Sequence, residues 1–251
     1  MSTPVSTPPR ATANISSTKE VWGASGNRLL DALPRADRAR IVRACKAVDL
    51  RLGDVLHEPG QRMRYAWFPL SGCVSLLTPS EHRSEQQIYL VGNEGMLGTV
   101  LVLGVEESYQ RALVLDTGKA LRIYAPALRR ELKLSESLRR KLHRYVHVLM
   151  TQLVQNAVCL ASHKVEQRLA HWLLMIHVRA SVEPLTITQS ALAELLGVRR
   201  VGVSAAASAL QRRGLIRYSR GRLVVTDRPA LVRAACGCYH ANRISQQRWL
   251  G

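Results

Sequence analysis

TQSALAELLGVRRVGVSAAASALQRRGLI, residues 188–216, has the spacing of two short helices that cross at a tight turn. Such helices approach closely only where the buried positions are small or apolar and the chain between them bends sharply. Leu192, Leu196, Val198, Val203 and Ala206 supply the apolar contacts, Ala193 leaves clearance for the second helix, and Gly197 accepts positive φ at the turn. Thr188 caps a first helix over 189–196 by accepting backbone N–H bonds, and a second helix runs over 199–212 until Gly214 stops it. The pattern is a helix-turn-helix, whose second helix presents its N-terminal residues to base edges in the major groove. Arg199 and Arg200 open that helix, and an arginine there donates two hydrogen bonds to guanine O6 and N7. A helical hairpin with a solvated basic face is the plainer alternative, but turn glycine, small residue, apolar mask and the basic sequel all agree on DNA.

That sequel is LIRYSRGRLVVTD, two β-prone runs at 215–218 and 223–226 around the turn formers Ser219, Arg220, Gly221 and Arg222. It reads as a hairpin wing tipped with arginines. The set expected to meet DNA is therefore Thr188, Gln189, Arg199, Arg200, Val201, Ser204, Ser208, Arg220 and Arg222. Charge supports the same partner: the 251 residues carry 36 Lys and Arg against 18 Asp and Glu, a net +18. Residues 158–251 hold 14 basic and 4 acidic side chains, the largest excess of the chain, and they contain the motif. Double-stranded DNA is the expected partner, with binding that weakens steeply with salt.

Upstream, the texture of residues 49–123 is different. VLHEP, YAWFPL, CVSLLT, QQIYLVG, RALVLD and KALRIY are short β-prone runs separated by Gly, Pro and Ser signals about every ten residues, as in a compact antiparallel barrel or jelly roll. Before them, apolar positions from Leu29 to Cys45 follow helical spacing, with a break near Pro34. After them, Leu142, Val146, Leu149, Leu153, Asn156 and Leu160 repeat at alternating spacings of four and three, which predicts a two-chain seam along a long helix over 132–160. Residues 164–179 form another amphipathic helix, ended near Pro184, whose Leu169, Trp172, Leu173 and Ile176 face the helix-turn-helix. Residues 229–236 make a last helix, followed by a polar, frayed end.

No run of about 18 apolar residues exists to span a membrane, and residues 1–26 are a Ser, Thr, Pro and Ala-rich mobile tail without a secretory core. The expected location is the cytoplasm. Five scattered cysteines argue for free thiols over a disulfide framework. His143 and His147 stand one helical turn apart with no third ligand nearby, and Cys236-Gly237-Cys238 offers two thiols without partners. No metal and no cofactor is assigned to either pair.

A small barrel, a long seam helix and a C-terminal winged helix-turn-helix, in that order, resemble the Crp/Fnr family of bacterial transcription regulators. The resemblance covers about residues 27–228, is strongest over 188–216, and extends to VGNEGMLG at 91–98, which is similar to the family's ligand-cassette segment. It implies an α+β fold: an N-terminal antiparallel β-barrel of the cyclic-nucleotide-binding-like jelly-roll type, a long dimerisation helix and a winged helix-turn-helix. The corresponding divisions are 1–26 tail, 27–131 sensor, 132–163 dimerisation helix and 164–251 DNA-binding domain. It also implies a homodimer on a palindromic operator, with RNA polymerase as a further candidate partner. By position, Arg200 matches the guanine-reading arginine, and Thr188 and Gln189 open the helix that meets phosphate. Val201 stands where the family's catabolite activator has a base-reading glutamate, and Ala205 where it has another arginine, so a different operator is expected.

The effector pocket implied by the resemblance holds Gly95, Met96, Leu97, Gly98 and Arg111. Cyclic-AMP binders carry a glutamate after the cassette glycine and an arginine followed by Ser or Thr. Here Met96 follows Gly95 and Ala112 follows Arg111, so cyclic AMP is not the expected effector, and its identity is unknown. The first 44 residues hold no cysteine for the family's iron–sulfur cluster, and His57 and His82 read as structural, not as haem ligands. Two other classes compete. A metal-dependent barrel enzyme needs clustered His, Glu or Asp, which 49–123 lacks, and no nucleophile elbow, phosphate loop or HExxH helix is present, so the chain reads as a non-enzyme. A non-specific architectural DNA binder would not need so defined a recognition helix.

Overall fold

The computed structural model describes residues 25–80, 83–179 and 185–250. The expected tail lies outside it except for Ser25 and Gly26, as do His82 and Pro184.

Two short helices, α1 (Arg28–Asp31) and α2 (Arg35–Arg43), lead into a sandwich of antiparallel strands. One sheet has the order β1 (Cys45–Leu50), β7 (Gly118–Tyr124), β3 (Tyr65–Pro69), and the other β2 (Val55–His57), β6 (Arg111–Asp116), β4 (Cys73–Ser80), β5 (Arg83–Val91). The strands form because inward positions are apolar at period two: along β6, Ala112 and Val114 are buried while their neighbours are half-exposed. Leu50, Trp67, Val74, Tyr89, Val91 and Leu97 close the core between the sheets. The expected barrel is thus a jelly roll of two facing sheets.

Helix α3 (Ala125–Leu134) follows, and the chain breaks at Ser135, whose Oγ accepts from Leu138 N at 3.1 Å and caps α4 (Glu136–Ser162). This 27-residue helix is about 40 Å long. Its N-terminal half packs on the roll through Leu138, Leu142, Tyr145 and Val148. Gly95 is required there, since a Cβ at that position would stand 2.2 Å from the Tyr145 hydroxyl. That hydroxyl donates to the Met96 carbonyl at 3.3 Å. Helix α5 (Val165–His177) then begins the C-terminal domain, followed by β8 (Leu185–Thr186), α6 (Gln189–Leu196), α7 (Arg200–Arg212), β9 (Ile216–Ser219), β10 (Arg222–Val225), α8 (Arg228–Ala234) and α9 (Cys238–Leu250). Leu169, Leu173, Leu192, Val203, Leu210 and Leu223 share its core. Among the described residues no helix is long and apolar enough to cross a membrane.

Two expectations need correction. Cys45 is not helical: it opens β1, which pairs along β7 from Cys45 against Ile123 to Leu50 against Gly118. The C-terminal end is not frayed. It is α9, lying along α4 with Cys238, Tyr239 and Asn242 buried, Lys141 Nζ donating to the Leu250 carbonyl at 2.9 Å and the His147 ring edge-on to Trp249 at 5.1 Å. The residues expected to form a two-chain seam divide between covered and exposed positions. Leu142 is fully buried, Val146 and Leu149 pack against the chain's own cores, and Asn156 donates to the Ile88 carbonyl at 3.0 Å. Leu153 and Leu160 remain exposed. The free face lies one residue on, at Met150, Val154, Ala157 and Ala161, which repeats the same four and three spacing.

Candidate nucleic-acid interface

Helix α6 starts where Thr188 Oγ1 accepts from Ala191 N at 3.1 Å, and ends at Gly197, whose φ of 63° lets Val198 N reach back to the Ala193 carbonyl at 3.0 Å. The turn is doubly closed to a larger residue, because a Cβ on Gly197 would also meet Gln86 Oε1 at 2.4 Å. Arg199 then stands at the N-cap of α7 with extended backbone and no side-chain cap, so the first amides and the positive end of the helix dipole are left outward.

Val203, Ala206, Ala207 and Leu210 bury one side of α7. The opposite side presents Arg199, Arg200, Ala205 and Ser208 to solvent, together with Val201 at 72% exposed. Ser204 is half-buried, and its hydroxyl donates to Gln189 Oε1 at 2.6 Å, locking the two helices together across the turn. Those two expected DNA contacts are therefore also contacts with each other.

The wing is a three-stranded sheet in the order β8, β10, β9, its first strand absent from the sequence reading. Ser219 pairs with Arg222, leaving Arg220 and Gly221 as a two-residue loop with φ of 49° and 76°, the signs of a type I′ turn. Among the described residues Arg220 is the one non-glycine with positive φ. Arg222 is exposed on β10, whereas Thr188 and Arg220 line a cleft of about 660 Å³ that separates the wing and α6 from Leu77, Glu85 and Leu113 of the roll. The nine residues thus divide into a solvent-facing group on α7, a bonded pair at the helix crossing, and a group at the wing and cleft.

Bonds from the roll hold this domain. Gln86 Nε2 donates to the Leu195 carbonyl at 2.9 Å and Trp172 Nε1 to Gln87 Oε1 at 3.0 Å, while Arg168 donates to the Leu196 carbonyl within the domain. The roll interior is nearly full. Met96, Leu97 and Gly98 line, with His57, Met63 and Trp67, a cavity of about 20 Å³, room for about one water. Gly95 lies behind it against Tyr145, and Arg111 is turned away into ion pairs with Glu58 at 3.4 Å and Glu85 at 3.2 Å. The five residues expected to form an effector pocket do not converge on one.

Residues 167–234 match the family model of the Crp-like helix-turn-helix domain. No curated protein matches the chain. Among solved structures, FixK2 from Bradyrhizobium japonicum superposes with a TM-score of 0.64 at 15% identity, over 76% of this chain and 98% of that one. The c-di-GMP responsive global regulator CLP of Xanthomonas campestris gives 0.63 at 16%, over 77% and 100%. A CRP/FNR-family transcriptional regulator from Thermus thermophilus gives 0.58 at 23%, over 76% and 98%. At such identities the likeness is one of fold.

Proposed function

We propose that this chain is a transcription regulator of the Crp/Fnr type that binds a palindromic operator as a homodimer and does not respond to cyclic AMP, a reading supported by the match of residues 167–234 to the Crp-like helix-turn-helix domain and by the likeness of fold to FixK2 and CLP. The observation that carries the reading is the first turn of α7, where Arg199, Arg200 and Val201 project together from an uncapped helix end whose far side is anchored in the core. Arg200 reads a guanine in the major groove, and Val201 makes apolar contact, as with a thymine methyl. Arg220, Arg222 and the α6 terminus hold the phosphate backbone and set register without reading sequence.

Dimerisation is supported by the unpartnered stripe on α4, where Met150, Val154 and Val158 are 62%, 68% and 47% exposed. Apolar residues of this size on one helix face call for a partner, and a second α4 with Ala157 and Ala161 at the crossing can approach closely. Against cyclic AMP stand Met96 in place of a ribose acceptor, the bound Arg111, and a cavity of about 20 Å³, where small-molecule sites run to about 300 Å³ or more.

Selection of genomic fragments by the purified protein at two salt concentrations, followed by footprinting, tests the reading. One palindrome with half-sites about 34 Å apart is the expected result. Salt-sensitive binding without any preferred site would overturn it in favour of an architectural role. Calorimetric titration with cyclic AMP should give no heat of binding at physiological concentration; micromolar affinity would remove that part of the proposal.

A further inference from the structure

Three cysteines and a histidine, far apart in sequence, converge where α4 meets α5. Cys159 lies in the last turn of α4, and His163 caps it four positions on, so both project from one side of the helix end. Cys236 and Cys238 flank Gly237 in the bend between α8 and α9. Cys159 Sγ is 3.5 Å from Cys236 Sγ, Cys238 Sγ is 3.5 Å from His163 Nδ1, and all four atoms lie within 4.8 Å of one another. The cysteines are buried and the histidine half-buried.

These are the separations of ligands around one ion. A disulfide needs an S–S distance of about 2.05 Å, and every cysteine here is a free thiol. A tetrahedral zinc with Zn–S near 2.3 Å and Zn–N near 2.0 Å sets its ligand atoms roughly 3.5 to 3.8 Å apart. The two 3.5 Å contacts match such edges. An iron–sulfur cluster is too large for the space, since its thiolates bind separate irons. Three soft thiolates with one imidazole select a tetrahedral d¹⁰ ion. The surroundings suit the charge as well: Gln155 Nε2 donates to Cys238 Sγ at 3.1 Å, and His171 Nδ1 stands 3.6 Å from Cys236 Sγ. Polar groups so placed orient the ligands and spread the thiolate charge.

We propose that Cys159, His163, Cys236 and Cys238 form a structural zinc site that clips the C-terminal helices onto the end of α4. All four positions are filled by protein, so the site is closed and does no catalysis. Binding displaces the thiol protons, and its free energy goes into holding the α8–α9 bend against the α4–α5 junction. The helix-turn-helix lies between those two tethers in the chain, so the ion fixes where the DNA-binding domain sits on the long helix. The site stands or falls independently of any operator.

The test is metal analysis of the full chain, purified without a metal-affinity column, then titration of metal-free protein with cobalt(II). The expected result is one zinc per chain and a cobalt spectrum of tetrahedral thiolate ligation that added zinc abolishes. Cys238→Ser and His163→Gln should each cut retained zinc at least tenfold, Gln155→Ala should weaken affinity about tenfold, and Cys45→Ser should leave zinc unchanged. The cobalt measurement uses the unmutated chain and so decides the matter even if a cysteine variant fails to fold. Absence of both retained zinc and a thiolate band would overturn the proposal. So would iron or copper at one per chain, or a Cys159–Cys236 disulfide in protein prepared under reductant.

Discussion

Glu94, in the loop after β5, and Arg179, just past the end of α5, form a buried ion pair that joins the cassette segment to the DNA-binding domain. Arg179 Nε and Nη2 reach Glu94 Oε1 at 2.8 and 2.7 Å, with the side chains 3% and 11% exposed. Burial opposes the guanidinium charge, yet the neighbouring groups, Glu94 foremost, hold the arginine's pKa above its ordinary value. The same carboxylate oxygen accepts from Gly92 N at 3.2 Å, and Arg179 Nη1 donates to the Met175 carbonyl at 2.6 Å. Through this pair and the Tyr145–Met96 bond, one loop touches both α4 and α5.

Removing one partner strands the other charge out of water. Glu94→Gln should therefore cost about 3–5 kcal/mol of unfolding free energy, whereas Glu94→Gln combined with Arg179→Met should recover much of that loss. Urea unfolding of the two variants checks this. Equal losses in both would mean that the pair's charges are not what the packing depends on.

In the proposed operator complex Arg200 and Val201 divide the labour of reading. Arg200→Ala should cost about 1–3 kcal/mol on the preferred site and relax selection at one base pair per half-site. Val201→Glu should shift the preferred base toward cytosine, since a carboxylate accepts from its amino group. Repeating the site selection with each variant reads both effects. A uniform weakening across all sequences for Arg200→Ala would reassign it to phosphate.

Arg220 holds a left-handed conformation that glycine adopts without strain. Arg220→Gly should leave the fold as stable or stabilise it by up to about 1 kcal/mol, while lowering the slope of log affinity against log salt by about one phosphate contact. Thermal unfolding and a salt series on the same preparations measure the two together. An unchanged salt slope would place the wing tip off the DNA.

The parts of this fold that are legible in the sequence are those whose constraints are local. Thr188, Gly197 and the apolar mask of Leu192, Leu196 and Val203 lie within a few turns of one another, so spacing alone fixes both helices. Strand β1 passes for helix because its burial alternates poorly and its partner is the distant β7, with Cys45 set against Ile123. Helix α9 has few apolar side chains and gains its order from α4, 109 positions away at the Lys141–Leu250 bond. The cysteine cluster is invisible for the same reason, Cys159 and Cys236 being 77 positions apart. On α4 two adjacent stripes share one spacing, and only the packing of the roll and α9 decides which is covered. The roll's filled interior depends on side-chain volumes meeting across two sheets, which no local pattern reports.

His57 lines the small cavity in the roll with Nε2 unpartnered, and burial holds its pKa below 6.5. Above that pH the ring is neutral in folded and unfolded chains alike, and its contribution to stability is complete. Below it the unfolded chain takes up a proton more readily than the folded one, so stability falls as pH drops toward the folded pKa. His57→Gln should flatten this part of the pH dependence, followed as the unfolding midpoint between pH 7 and about pH 5. A variant as acid-sensitive as the parent would show that other groups dominate.

The exposed stripe on α4 makes the proposed dimer separable from the fold. Val154 is 68% exposed, so Val154→Asp removes little packing within the chain, but in a two-chain seam it sets one carboxylate against its symmetry copy. Sedimentation should then give a monomer at concentrations where the parent is dimeric, with an unchanged thermal midpoint at matched monomer state and loss of operator binding. Asn156→Ala should do the opposite, leaving the dimer intact while loosening α4 from β5, because its amide is bound to the Ile88 carbonyl of the same chain. If Asn156→Ala separates the chains and Val154→Asp does not, the seam lies on the covered face, and α4 must swing away from its own roll when two chains meet.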